Sequence, residues 1–132
     1  MKAHSSNYSG RKVYLKDRIA SFRYAFRGLS LLIISEPNAQ IHVVALIIIL
    51  VAGLLLKIST TGWIAILFAA GMVVAGECFN TAIEYLSDLV SPEYNEKIKK
   101  IKDISAAGVL ISVIVSIIIG LIVFIPAIVK IL

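Results

Sequence analysis

Cysteine occurs once in this chain, at Cys78, which excludes an intrachain disulfide. A buried structural thiol is the expected role of that residue. Histidine occurs only at His4 and His42, and no His/Cys cluster has the spacing of a zinc site. The phosphate cradles GxxxxGK[ST] and GxGxxG are both missing, so neither a P-loop nor a dinucleotide fold holds a nucleotide here. GxSxG and HExxH are missing as well, which removes the usual serine-hydrolase and zinc-protease readings. Charge is scarce too: Asp, Glu, Lys and Arg make up 16% of the residues, and acids number only eight.

What charge there is lies in two clusters. Residues 1–30 hold seven of the 13 Lys and Arg with one acid, Asp17, and residues 93–103 hold four more Lys beside Glu93, Glu96 and Asp103. The stretches between are nearly uncharged, and hydrophobic residues reach 59% of the chain with a mean hydropathy of +0.94. A bilayer imposes that separation, because an unpaired charge in hydrocarbon is expensive. The basic pI of about 9.5 therefore points to an anionic lipid surface. Nucleic acid is excluded as a partner, since no basic stripe is interleaved with aromatics. At 132 residues the chain is a single domain.

The pattern predicts an all-α membrane protein with three transmembrane helices and an N-terminal amphipathic helix. Residues 1–10 are polar and expected to be disordered, with no cleavable signal peptide. Over 11–34, Leu15, Ile19, Phe22, Phe26 and Leu29 fall on one side and Lys12, Lys16, Arg23 and Arg27 on the other, as in a helix lying in the membrane interface. Glu36-Pro37-Asn38 breaks it. Spans are expected at about 39–56, 63–89 and 104–129, separated by a tight turn at 57–62 and a polar loop at 93–103. Trp63 anchors the second span. The excess of Lys and Arg at the N-terminus and in the 91–103 segment places both in the cytoplasm. Gly108, Ser112, Ser116 and Gly120 form a ribbon of small residues suited to close helix packing.

Chemistry is concentrated in Glu77-Cys-Phe-Asn80-Thr-Ala-Ile-Glu84-Tyr-Leu-Ser-Asp88. At about 100° per residue, Glu84 and Asp88 project within about 20° of Glu77, and Asn80 within about 60°. Three acids and an amide thus share one narrow helix face, where like charges call for a cation or a basic partner. Oxygen donors without His or Cys suit Mg²⁺. Lys102-Asp103 and Glu36 belong at the same membrane surface, where a soluble phosphate donor could meet a lipid head group. Lys102 by itself also fits a snorkelling lysine. His42, at the entry to the first span, reads as a helix-interface residue. A different class of function, a small channel or carrier passing cations or protons along Glu77, Glu84 and Asp88, uses the acidic stripe but leaves Lys102-Asp103 and the basic helix without a task.

E-x-x-N-T-A-I-E-x-x-x-D (77–88), S-P-E-Y (91–94), K-x-x-K-D (99–103), S-F-x-Y-A-F-x-G-L (21–29) and E-P-N (36–38) together resemble the prokaryotic diacylglycerol kinase and undecaprenol kinase family. The resemblance covers roughly residues 15–126. It implies a homotrimer in the bacterial cytoplasmic (inner) membrane, with composite active sites between subunits. It implies transfer of the ATP γ-phosphate to the hydroxyl of a lipid alcohol, either undecaprenol or diacylglycerol. Glu77 would then be the general base, Glu36 and Glu84 the Mg²⁺ ligands, and Asn80 a support. Lys102 would neutralise charge on the phosphoryl group beside Asp103. Tyr24, Asp88, Glu93, Tyr94 and Asn95 would lie around the nucleotide, and Arg18 or Arg23 would contact nucleotide or lipid.

Overall fold

The computed structural model describes residues 15–131, with side chains from Ala20 onward. The expectations for residues 1–10 and 11–14, and for the side chains of Leu15, Arg18 and Ile19, lie outside the described residues. Four helices follow one another: α1 (Leu15–Ser35), α2 (Pro37–Leu55), α3 (Thr60–Val90) and α4 (Glu96–Val129). The last three are long and apolar enough to cross a membrane. At 1.5 Å per residue, α2 is about 28 Å long and matches a bilayer core of about 30 Å, whereas α3 and α4 are roughly 46 and 51 Å and emerge from it.

The break after α1 is the expected one. Glu36 is extended (φ −108°, ψ 110°) and Pro37 occupies the first position of α2, where its missing N–H costs nothing. The α2–α3 turn closes as a Schellman motif. Ile58 N–H reaches the Gly53 carbonyl at 3.2 Å and Lys57 N–H reaches Leu54 at 3.3 Å. Lys57 takes the left-handed conformation (φ 49°) at the position that favours glycine. Ser59 then caps α3, its Oγ accepting from Gly62 N–H at 3.1 Å. Gly53 is bare because the indole of Trp63 lies on it: a Cβ there would stand 2.9 Å from Trp63 Cη2. Trp63 thus locks the turn.

Three expectations change. Cys78, expected to be a buried thiol, is exposed on α3. The 93–103 segment is a loop only as far as Asn95, whose Oδ1 accepts from Lys97 N–H at 2.9 Å and Ile98 N–H at 3.4 Å and starts α4 at Glu96. The cap satisfies the orphan donors of the first turn, so the polar stretch 96–103 is the projecting end of the third spanning helix. The ribbon of small residues is also only half a contact. Ser116 Oγ donates to the Ala69 carbonyl of α3 at 3.2 Å, and Gly76 of α3 faces Ser112 and Val109. Gly108 and Gly120 have open space where a side chain would be. A four-residue repeat advances about 40° beyond a full turn per step, so the outer members rotate off the seam.

α3 and α4 pack against each other most extensively, and α1 and α2 lean on α3. Little is buried: among the described residues the buried large or methyl-bearing apolar side chains are Leu32, Ala39, Ile58, Ile66, Ala69 and Val73. Phe22 and Phe26 of α1 remain exposed, and α1 touches the bundle through its last turns around Leu32. Exposed Ile, Leu and Val along α2 and α4 form the surface that lipid solvates.

Candidate active site

Each acid on the α3 face meets a different neighbour. Glu77 is buried, with 4% of its surface exposed, and its Oε1 lies 3.0 Å from Nε2 of His42 on α2. Asn80, one turn on, is buried and donates from Nδ2 to Glu84 Oε1 at 3.0 Å. Its own Oδ1 is buried without a hydrogen-bond partner among the described residues. Glu84 is half-buried and Asp88 exposed. Asp88 Oδ1 accepts from Lys102 Nζ of α4 at 2.9 Å.

The crowding of three like charges expected from the helical wheel is therefore relieved. The projection hides distance along the axis, where Glu77 and Glu84 are about 10 Å apart and Glu84 and Asp88 about 6 Å. Basic pairing is real for Asp88 alone among the three, with His42 serving Glu77.

Glu36 joins the site from the α1–α2 break. Tyr85 Oη donates to Glu36 Oε1 at 3.0 Å and stands 3.1 Å from Ser35 Oγ. That contact brings Glu36 to the level of Glu84, the residue before Tyr85. Tyr85 is the residue that sequence reasoning missed; His42, read as a helix-interface residue, does face α3, but its partner Glu77 was not foreseen. A usable signal existed for His42, since it and Glu77 lie equal numbers of residues on either side of the 57–62 turn. In an antiparallel pair equal counts mean equal depth.

The remaining candidates are less concentrated. Tyr24 is exposed, with the Arg23 guanidinium 5.7 Å from its ring centroid. Glu93 accepts from Ser91 Oγ through its backbone carbonyl at 3.1 Å, and the Asn95 side chain is committed to the α4 cap. Tyr94 Oη donates to Glu96 Oε2 at 2.7 Å. That bond holds the phenol above its ordinary pKa, with desolvation and the charge of Asp103 acting in the same direction. Asp103 is exposed one residue beyond Lys102. The structure thus joins Glu36 to Tyr85 of α3, and Lys102 to Asp88, and among the described residues shows no contact of Tyr24, Tyr94 or Asp103 with Glu77.

Two cavities flank the base of the site. One of about 170 Å³ holds Glu77 among apolar side chains of α1, α2 and α3. The other, about 340 Å³, runs between α2, α3 and α4 from His42 to Phe124. His42 lines both.

The sequence profile of prokaryotic diacylglycerol kinase matches residues 23–124, most of the chain and all of this site. The chain belongs to the prokaryotic diacylglycerol kinase family. It is 35% identical over 106 residues to undecaprenol kinase of Bacillus subtilis (strain 168), covering 80% of this chain and 86% of that protein. It is 32% identical over 103 residues to diacylglycerol kinase of Synechocystis sp., 77% of this chain and 59% of that one. With diacylglycerol kinase of Escherichia coli (strain K12) it shares 30% over 95 residues, 72% and 78% of the two chains. This member is a lipid kinase and a bacterial membrane protein.

A kinase needs a phosphate donor, and metal ions commonly bridge its phosphates. Among the described residues no three His, Cys, Asp or Glu side chains stand together as a metal-holding group. Mg²⁺ needs no such cage, since it keeps water and binds one or two carboxylates plus substrate phosphates. The donors present are hard oxygens, and the unpartnered Asn80 Oδ1 beside Glu84 is a polar atom that water or a hydrated cation would satisfy.

Proposed function

We propose that this lipid kinase transfers the γ-phosphate of ATP to the hydroxyl of undecaprenol, with diacylglycerol as the competing acceptor, at the cytoplasmic surface of the inner membrane. Glu77 is the general base. The observation that carries this is a carboxylate buried on a spanning helix, in a pocket otherwise lined by apolar side chains and His42. Its oxygen takes the hydroxyl proton as the lipid oxygen attacks the γ-phosphorus. The bond from that phosphorus to the bridging oxygen breaks, and ADP leaves.

Glu36 and Glu84 would hold Mg²⁺, supported by Asn80. The metal, when bound, neutralises charge on the phosphate oxygens. Lys102, held by Asp88 at the projecting end of α4, supplies a cation for the transferred phosphoryl group, with Asp103 beside it. Tyr24, Asp88 and the 93–95 link flank the nucleotide. The 340 Å³ cavity takes the lipid chain next to the hydroxyl, because it is lined by His42, the partner of Glu77. Its size suits a small-molecule site.

We further read the working unit as a homotrimer with sites completed between subunits, its N-terminus in the cytoplasm. Support for the topology comes from the placement of Lys and Arg around the spans. Undecaprenol is favoured over diacylglycerol because the D-L-V-S-P-E-Y run (88–94) resembles undecaprenol kinases and because the undecaprenol kinase relative covers most of both chains.

The test uses purified full-length protein in micelles with ATP, Mg²⁺ and each lipid alcohol in turn. Phosphorylation of undecaprenol in preference to diacylglycerol is expected. Glu77→Gln should lower turnover at least about 10²-fold while leaving nucleotide binding intact. Parental turnover in that variant removes Glu77 as the base, and preference for diacylglycerol reverses the substrate assignment.

A further inference from the structure

Glu77 faces an environment that offers a charge almost nothing. Leu29, Leu32 and Ile33 of α1, Val43 of α2 and Val74 of α3 surround it, and His42 is the one other polar residue lining the pocket. A buried carboxylate without a donor pays a large desolvation cost, and a charge-assisted hydrogen bond offsets it. An ionised carboxylate only accepts, so His42 Nε2 carries the hydrogen in the 3.0 Å contact. The imidazole is itself partly exposed, at 24% of its side chain, and forms a wall shared with the larger cavity.

We propose that His42 is the positioning residue for Glu77: its Nε2–H fixes Oε1, so that Oε2 is presented to the lipid hydroxyl. The inference rests on Glu77 being the base. His42 itself does not exchange a proton with the substrate. It sets the rotamer of the carboxylate inside an apolar layer. Nothing else lining the pocket substitutes for it, since the remaining side chains carry no donor.

The experiment compares His42→Leu and His42→Gln in the full-length protein in micelles, with kcat and KM measured for ATP and for the lipid. His42→Leu should lower kcat at least about tenfold, the usual weight of a hydrogen bond to a charged group, with KM for ATP unchanged. His42→Gln presents an N–H at similar reach and should restore most of that loss. In a Glu77→Gln background, measured with excess enzyme, His42→Leu should add no further loss, because its effect passes through the carboxylate. Equal losses from Leu and Gln would overturn the proposal, as would a change confined to KM for the lipid, which makes His42 a cavity wall only. Parental kcat in His42→Leu, alongside a crippled Glu77→Gln, would refute the positioning role and leave the base assignment standing. A fully active Glu77→Gln would instead remove the base assignment, and this inference with it.

Discussion

Adding one methyl group at Gly53 and at Gly76 should move stability in opposite directions. Both glycines lie inside helices, so Ala gains about 1 kcal/mol of helix propensity at either site. Space then decides the sign. At Gly76 a Cβ would stand 3.7 Å from Ser112 Oγ and 3.8 Å from Val109 Cα, ordinary contact. Gly76→Ala should therefore be stabilised by up to about 1 kcal/mol. At Gly53 the same atom would stand 2.9 and 3.1 Å from the Trp63 ring and 3.1 Å from Ile58 Cδ1. The indole has only two torsions and would have to lift off the turn, an overpacking cost of about 1–3 kcal/mol. Net, Gly53→Ala should be neutral to about 2 kcal/mol destabilised. Equilibrium unfolding in mixed micelles with increasing sodium dodecyl sulfate reads both midpoints. Gly76→Leu in the same assay should lose stability, because the added carbons meet the Val109 backbone, which cannot swing aside. Shifts of the same sign in the two alanine variants would refute the packing argument.

The other predictions concern the site. Lys102→Met should lower turnover far more than Lys97→Met, because Lys102 alone of the two is paired to the α3 face through Asp88; equal losses would detach Lys102 from the chemistry. Tyr85→Phe frees Glu36 from its 3.0 Å hydrogen bond and should shift the Mg²⁺ midpoint of activity, whereas an unchanged Mg²⁺ titration would mean that Glu36 is not a ligand. Tyr94 ionises above the ordinary phenol range because its hydroxyl donates a hydrogen bond to the Glu96 carboxylate. The phenolate difference spectrum of parent against Tyr94→Phe should therefore move to lower pH in Glu96→Gln, and no movement would deny that hydrogen bond.

What the sequence determines by itself is what depends on each segment alone. Runs of apolar residues long enough for a bilayer, the Glu36-Pro37 break, and the common face of Glu77, Asn80, Glu84 and Asp88 follow from hydropathy, proline geometry and the helical period. The family could be read for the same reason, since its motifs lie within short windows of chain. The start of α4 at Glu96 was legible in principle, as Asn95 is a strong cap, but the Lys-rich stretch after it resembles a loop in composition. Only the tertiary structure decides which partner each acid meets. His42 finds Glu77, Tyr85 finds Glu36, and Lys102 finds Asp88 because α2, α3 and α4 stand at particular axial offsets and rotations. At the α2–α3 turn the offset is fixed by Gly53 lying bare under Trp63, and α4 packs on α3 where Val109 and Ser112 face Gly76. A helical wheel carries the rotation of one helix but neither its depth nor its neighbour, so these pairings needed the packed bundle.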